Sequence, residues 1–320
     1  MKSVILIAAG AALGAAAFCG ATAQPYPSKP IRLVAPFSPG GGTSILAHLI
    51  TEPVSEVFGQ PVVVDNRPGA GGALGAEIVV NSEADGHTLI VVSSSYCATS
   101  AYRILPYDPV KDITPIVLIG TTGLLMTVTP SVPAKTVKAF IALARERPGK
   151  LNYASVGVGA VNHLSHELFK QLAGINIVHV PYKGGSPALT SVVSGETQVT
   201  SVSMLPTLPH LRAGRLRALG ITTAKRSTLL PDVPSISESV PGYVVNHWYG
   251  MWGPKGMPAE IVAQWNKEVA KVLNTDKIKR QLQGEGVEPA AGPPSEFAEV
   301  IASDVAKWRS VIKTAGIKRR

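Results

Sequence analysis

Short apolar, β-branched runs alternate with amphipathic stretches along most of this chain, and that alternation predicts an α/β protein on a largely parallel sheet. Two further observations point the same way. Several apolar runs end in a Gly- or Ser-rich turn that leads into a helical stretch, as βα units require. The 320 residues, 45% of them hydrophobic, are also enough to bury a core without covalent staples.

In chain order, strands are expected over 31–37, 61–65, 88–93, 116–119, 151–155, 176–180, 198–202 and 217–222, with helices over 44–58, 137–147, 161–172 and 187–194. The last seventy or so residues change character. Pro258 opens a helix with Ile261, Trp265, Val269 and Val272 on one face, and a second follows Ser295 with Phe297, Ile301, Val305, Trp308 and Ile312. Apolar spacing of three and four makes both of them packing elements. The segment 125–223 holds a complete strand-and-helix set, so it is expected to be a second lobe inserted into a first lobe made of 24–124 and 224–320. Two crossings between lobes would make a hinge.

The start of the chain reads as an export signal. Lys2 precedes an apolar run over 4–17, and Ala21-Thr22-Ala23 offers the small residues of a cleavage site, placed after Ala23. The run is shorter than the roughly 20 residues a spanning helix needs. Cys19 invites acylation, but the bulky Phe18 before it argues against that. After cleavage Cys97 is the only cysteine left, so no intramolecular disulfide can form. The net charge of +9 comes from scattered basic residues. Export and the lack of a basic stripe make nucleic acid an unsuitable partner, and the surplus is a general attraction for anions.

Catalytic motifs are missing where they would be expected. His163 and His166 have helical spacing, but the glutamate of a zinc protease does not follow the first histidine. No Gly-x-Ser-x-Gly elbow occurs. The turn Gly69-x-Gly71-x-x-x-Gly75 imitates a dinucleotide fingerprint, yet Arg67-Pro68 intervenes between strand and glycines. Neither a cofactor nor a metal is expected.

The informative loops all follow strands. Phe37-Ser38-Pro39-Gly40-Gly41-Gly42-Thr43-Ser44 joins the first strand to a helix. Three consecutive glycines let amides converge on one point, and Thr43 or Ser44 would cap the helix, which together make a cradle for an anion. Ser94 and Ser95 end another strand. In the middle segment Ser155, Gly157, Val158 and Gly159 lead into a helix containing Asn162, and Ser186 would cap the helix after Lys183-Gly184-Gly185. Ligands of open α/β sheets bind beyond such strand ends.

Those loops, with Val62-Val63-Val64-Asp65-Asn66-Arg67-Pro68-Gly69-Ala70-Gly71-Gly72, Leu105-Pro106-Tyr107-Asp108-Pro109, Val180-Pro181-Tyr182-Lys183-Gly184 and Leu230-Pro231-Asp232-Val233-Pro234, resemble the receptors of tripartite tricarboxylate transporters, the Bug-type periplasmic binding proteins. The resemblance runs from about residue 25 to 317. It implies a two-lobed type II binding-protein fold, working as a monomer, that closes on a small carboxylate and delivers it to membrane permease subunits. The ligand carboxylate would sit between residues 37–44 and 155–159. The chain departs from the family at Ser44, where Asp is usual, and at Ser203-Met204, where Asp-Asn is frequent. In relatives that bind amino acids, a carboxylate near the second position can pair with the ligand's ammonium. Ser203 cannot, so a non-amino acid is expected, with an apolar or aromatic body against Phe37, Tyr96 or Met204. A secreted hydrolase using Ser94 and a histidine, and a sensor sharing the fold, are the alternatives.

Overall fold

The computed structural model describes residues 26–314 and 316–319; the expected leader and its cleavage point lie outside them. In chain order the elements are β1 (Ile31–Ala35), α1 (Gly42–Phe58), β2 (Val62–Asn66), α2 (Ala73–Val80), β3 (Thr88–Ser93), α3 (Ser95–Tyr102), β4 (Ile113–Val128), α4 (Val137–Glu146) and β5 (Asn152–Ser155). Then come α5 (Val161–Ala173), β6 (Val178–Pro181), α6 (Gly185–Val193), β7 (Val199–Ser203), α7 (Met204–Arg212), β8 (Arg217–Ile221), β9 (Asn246–Pro254), α8 (Ala259–Asn274), α9 (Asp276–Gly284), β10 (Glu288–Pro289) and α10 (Pro294–Thr314).

The β1 residues Ile31, Leu33, Val34 and Ala35 are all buried, as suits a strand covered on both faces. It pairs in parallel with β2 and β3, and β9 adds antiparallel to β3. The strand path runs β2-β1-β3-β9-β4-β7-β5-β6, with β8 and β10 also on β4. Strand β4 is the unexpected member. Only 116–119 reads as strand in sequence, because Gly120, Thr121, Thr122 and Gly123 break the apolar run. In the structure its 16 residues pair with β9 as far as Gly123 and from Leu124 with β7 and β8. One strand therefore belongs to both halves of the sheet.

The first half packs α1 and α8 on one face, where Leu46, Ile50 and Val54 meet Trp265 and Val269. On the other face α3 and α10 meet through Cys97, Ala101, Phe297 and Trp308. The two C-terminal helices are thus packing elements, with Trp265 and Trp308 fully buried. In the second half, α4 and α5 cover one face through Phe140, Leu164 and Phe169, and α6 covers the other through Ala188, Leu189 and Val192.

The chain enters the second half at Leu124 and leaves it at Val245. Thr222 holds both points: Leu124 N–H donates to its Oγ1 at 3.0 Å, and that hydroxyl donates to the Val245 carbonyl at 2.7 Å. The segment after β8 stays with the second half. Ile236, Val240 and Tyr243 share a core with Val137 and Phe169, and the Tyr243 ring meets Phe169 edge-on at 5.8 Å.

Candidate functional site

Helix α1 begins two residues earlier than its sequence suggests. Gly41 is the N-cap residue, with no side chain to bond the first turn, so Thr43 and Ser44 lie inside the helix and do not cap it. The same displacement occurs at α6, where Gly184 is the N-cap and Ser186 is already helical. In both places glycine brings the backbones of the two halves close enough to touch. A Cβ on Gly41 would lie 3.6 Å from the Gly185 nitrogen, and one on Gly184 would lie 2.9 Å from the Ser38 nitrogen.

A cavity of about 30 Å³ lies between these loops, lined by Phe37, Gly41, Gly42, Thr43, Ser93, Ser95, Val156, Asn162, Gly185, Val202, Ser203, His247 and Tyr249. No Asp, Glu, Lys or Arg is among them. Tyr249 Oη donates to Ser203 Oγ at 2.6 Å, which joins β9 of the first half to the end of β7 in the second. Across the cleft Val161 N–H donates to Ser95 Oγ at 3.4 Å, and Ser38 N–H donates to the Lys183 carbonyl at 3.1 Å. Asn162 Nδ2 is spent on the Ser201 carbonyl. Thr43 Oγ1 differs from its neighbours, being shielded from solvent with no hydrogen-bond partner. An unbonded buried hydroxyl costs stability, and this one sits in the first turn of a 17-residue helix, where the helix dipole favours negative charge.

Behind the second-half loop lies a stack of rings. His179 is stacked on His163 at 4.2 Å and on Tyr153 at 4.9 Å, and Tyr153 is stacked on His166 at 4.5 Å. Ser155 Oγ meets His179 Nε2 at 2.6 Å, and Gly159 N–H donates to His163 Nδ1 at 3.2 Å. His163 is thus an anchor for the loop, as its helical position suggests. Burial, followed by the charges of His163, His166 and Lys170, pushes His179 down to about 3. Burial likewise pushes His166 to about 4 and His247 to about 3. In the unfolded chain these imidazoles titrate near 6.5. Below that pH the unfolded state binds more protons, so the stability from keeping them neutral is complete above about pH 6.5 and is lost as pH falls toward the folded values. Melting temperature is expected to fall continuously between pH 7 and 5, with His179→Asn flattening the slope. A level profile in scanning calorimetry would contradict the assignment.

A second Ser–His contact involves Ser94, whose Oγ lies 2.6 Å from His247 Nδ1. Ser94 is 0% exposed. Among the described residues no three potential metal-ligating side chains converge, and no helix is long and apolar enough to cross a membrane.

Residues 46–317 match the model of the tripartite tricarboxylate transporter family receptor. The chain belongs to that family. This receptor is 33% identical to the protein BugT of Bordetella pertussis, over 93% of its own length and 92% of BugT. Among solved structures it is similar to R. palustris Rpa4515 with adipate, at 40% identity and TM-score 0.88, covering 92% of this chain and 99% of that one. It is also similar to MatC from Rhodopseudomonas palustris with bound malate, at 31% identity and TM-score 0.86, covering 90% and 100%. The fold is accordingly the two-lobed periplasmic-binding-protein architecture.

Of the residues singled out in the receptor's sequence, Phe37, Gly41, Gly42, Thr43, Ser95, Asn162 and Ser203 come together around the cavity. The others do not line it. Ser38 and Gly40 stand at the loop's outer edge, and Ser44 is buried beneath the first turn. Ser94 bonds His247, while Ser155 is fully buried with its hydroxyl turned toward His179. Gly157 and Val158 face a separate rim pocket, and Gly159 packs on the Tyr102 ring. Of the aromatic-body candidates, Tyr96 donates to the Pro109 carbonyl away from the cavity, and Met204 lines a different cavity, with Gly123, Ile221 and Asn246. Sequence reading missed His247 and Tyr249 altogether. They lie on β9, whose Trp, Gly and Met content hides its strand character, and since its residues after Asn246 are all buried no alternation marks it.

Proposed function

We propose that this receptor, exported to the periplasm after cleavage near Ala23, binds a small non-amino carboxylate between its two halves. It delivers the ligand, chemically unchanged, to a membrane permease. The observation that carries the reading is the uncharged cavity at the start of α1 containing the unpartnered Thr43 hydroxyl. A carboxylate there would accept from Thr43 and from the first-turn amides, with the helix dipole supplying the attraction that a basic side chain would otherwise give. The cavity offers an α-ammonium no carboxylate, and His247, held neutral, is no counter-ion for the acid. The ligands named with Rpa4515 and MatC, adipate and malate, are non-amino carboxylates and support the same class; an aromatic acid against Phe37 fits it equally.

At about 30 Å³ the cavity is the size of one or two waters, so the halves must separate to admit an organic acid. The proposed moving bodies are 26–123 with 246–317, and 124–245, because the segment after β8 packs with the second half. The hinge is the β4 crossover with Thr222. The test is a thermal-shift series with mono-, di- and tricarboxylates, in which a bound acid raises the melting temperature as RT ln(1 + [L]/Kd) and is recovered unaltered. Stronger stabilisation by an α-amino acid than by its deaminated analogue would refute the ligand class, and product formation would refute the receptor reading. Ser203→Asp should reverse the preference: by calorimetry, the plain acid is expected to weaken at least roughly tenfold through like-charge repulsion, and the amino analogue to gain.

A further inference from the structure

The glycine turn after β2 takes part in a second interlobe feature. A pocket of about 250 Å³ is lined by Gly69, Ala70, Gly71 and Arg103 from the first half, and by residues 156–158 and 181–183 from the second. The backbones of the two halves touch here. A Cβ on Gly71 would lie 2.8 Å from the Val158 carbonyl oxygen, and one on Gly157 would lie 2.9 Å from the Gly71 Cα. The pocket therefore exists only while the halves are closed. Its two charged side chains, Arg103 and Lys183, are both cationic and come from opposite halves. No Asp or Glu lines it, and among the described residues neither cation is in an ion pair with one. Arg103 Nε is moreover shielded from solvent without a hydrogen-bond partner. A guanidinium with a buried, unbonded N–H is an incomplete arrangement that an oxyanion completes.

We propose that this rim pocket is an oxyanion site, bridged between Arg103 of one half and Lys183 of the other, and that an anion held there stabilises the closed form. Because the site is assembled only on closure, an occupant raises the affinity of the main cavity, and by linkage the cavity's ligand raises affinity at the rim. The proposal goes beyond the reading of the main cavity, although the coupling rests on that reading. The oxyanion has two sources, a free inorganic anion or the far carboxylate of a long dicarboxylate, since Val156 lines both spaces.

The experiment uses the full mature chain, Lys183→Gln, and Arg103→Gln with Lys183→Gln, at fixed ionic strength with chloride as the compensating ion. Lys183 is exposed, so the single variant tests the idea even where the double variant folds poorly. In the first arm, inorganic phosphate is expected to raise the melting temperature of the wild type and to tighten a monocarboxylate roughly fivefold, with both effects lost in the variants. In the second arm, without phosphate, a dicarboxylate of six or more carbons is expected to bind more tightly than the matching monocarboxylate, and only in the wild type. Loss of a response in the variants supports the site, and the arm that responds identifies the source. Failure of both arms overturns it, as does an equal response in the variants or phosphate that competes with the carboxylate. Absence of any carboxylate binding in chloride would count against the main cavity's assignment, while the phosphate melting shift would still decide the rim site.

Discussion

Gly42→Ala is expected to abolish ligand binding and to lower stability by about 1–3 kcal/mol, the usual cost of overpacking. The added methyl would stand 2.0 Å from Tyr249 Oη, 2.7 Å from its Cζ and 3.1 Å from Ser203 Oγ. Tyr249 is only 1% exposed, and its ring is held edge-on by His247 at 4.9 Å. The phenol therefore has little room to retreat, and retreat would break its hydrogen bond to Ser203 across the two halves. Gly42→Val would be worse. Combining Gly42→Ala with Tyr249→Phe removes the nearest atom and should restore part of the stability, although the ring carbon remains close. Calorimetric titration and thermal denaturation of the three proteins check this, and a Gly42→Ala protein that binds like the wild type would show that the cavity is not where ligand sits.

Thr43→Val should separate binding from stability. The two side chains have nearly the same shape, so the change removes a buried hydroxyl that bonds nothing in the protein. An unsatisfied buried group costs about 1–3 kcal/mol, and the melting temperature of the free protein is expected to stay level or rise. If a carboxylate accepts from that hydroxyl, binding loses a charge-assisted bond of about 1.5–3 kcal/mol, which is roughly tenfold or more in Kd. A destabilised variant with intact affinity would mean that the hydroxyl serves the fold and not the ligand. Ser44→Ala, one residue on and outside the cavity, is the control.

Much of the architecture is legible from residue order because it rests on local chemistry. Apolar runs flanked by glycine gave β1, β3 and β5 within a residue or two, and the heptad-like spacing of Trp265 and Trp308 gave α8 and α10. The errors arise where tertiary context overrides local pattern. Gly120 and Gly123 look like strand breakers, yet β4 passes through them: a Cβ on Gly120 would meet the Glu288 carbonyl oxygen at 2.7 Å, and one on Gly123 the Ile221 side chain at 2.6 Å. These glycines make room for crossing chains and do not end the strand. Thr43 and Ser44 look like caps because capping side chains and first-turn side chains are of the same types, and only the backbone angles of Gly41 decide between them.

The site was half visible for a related reason. Loop composition identifies which segments converge but not which way a hydroxyl turns. Ser155 and Ser95 occupy similar places after strands, yet Ser95 lines the cavity while Ser155 is drawn backward by His179, 24 residues on. Tyr249 reaches the same cavity from a strand that begins more than two hundred residues after β1, and no local motif connects the two. The basic residues, scattered in sequence and read only as a general field, include the Arg103 and Lys183 that line one pocket.

In the closure proposed for this receptor, Thr222 would be the fulcrum. Leu124 and Val245 meet on its one hydroxyl, so under the proposed motion displacement of the second half would grow with distance from that point like the tip of a lever. Two dyes near Thr222 would barely change their energy transfer on closure. The same pair carried by exposed positions beside Ser38 and Lys183 would register the full stroke, so the protein's own geometry dictates where an optical gauge for its ligand belongs.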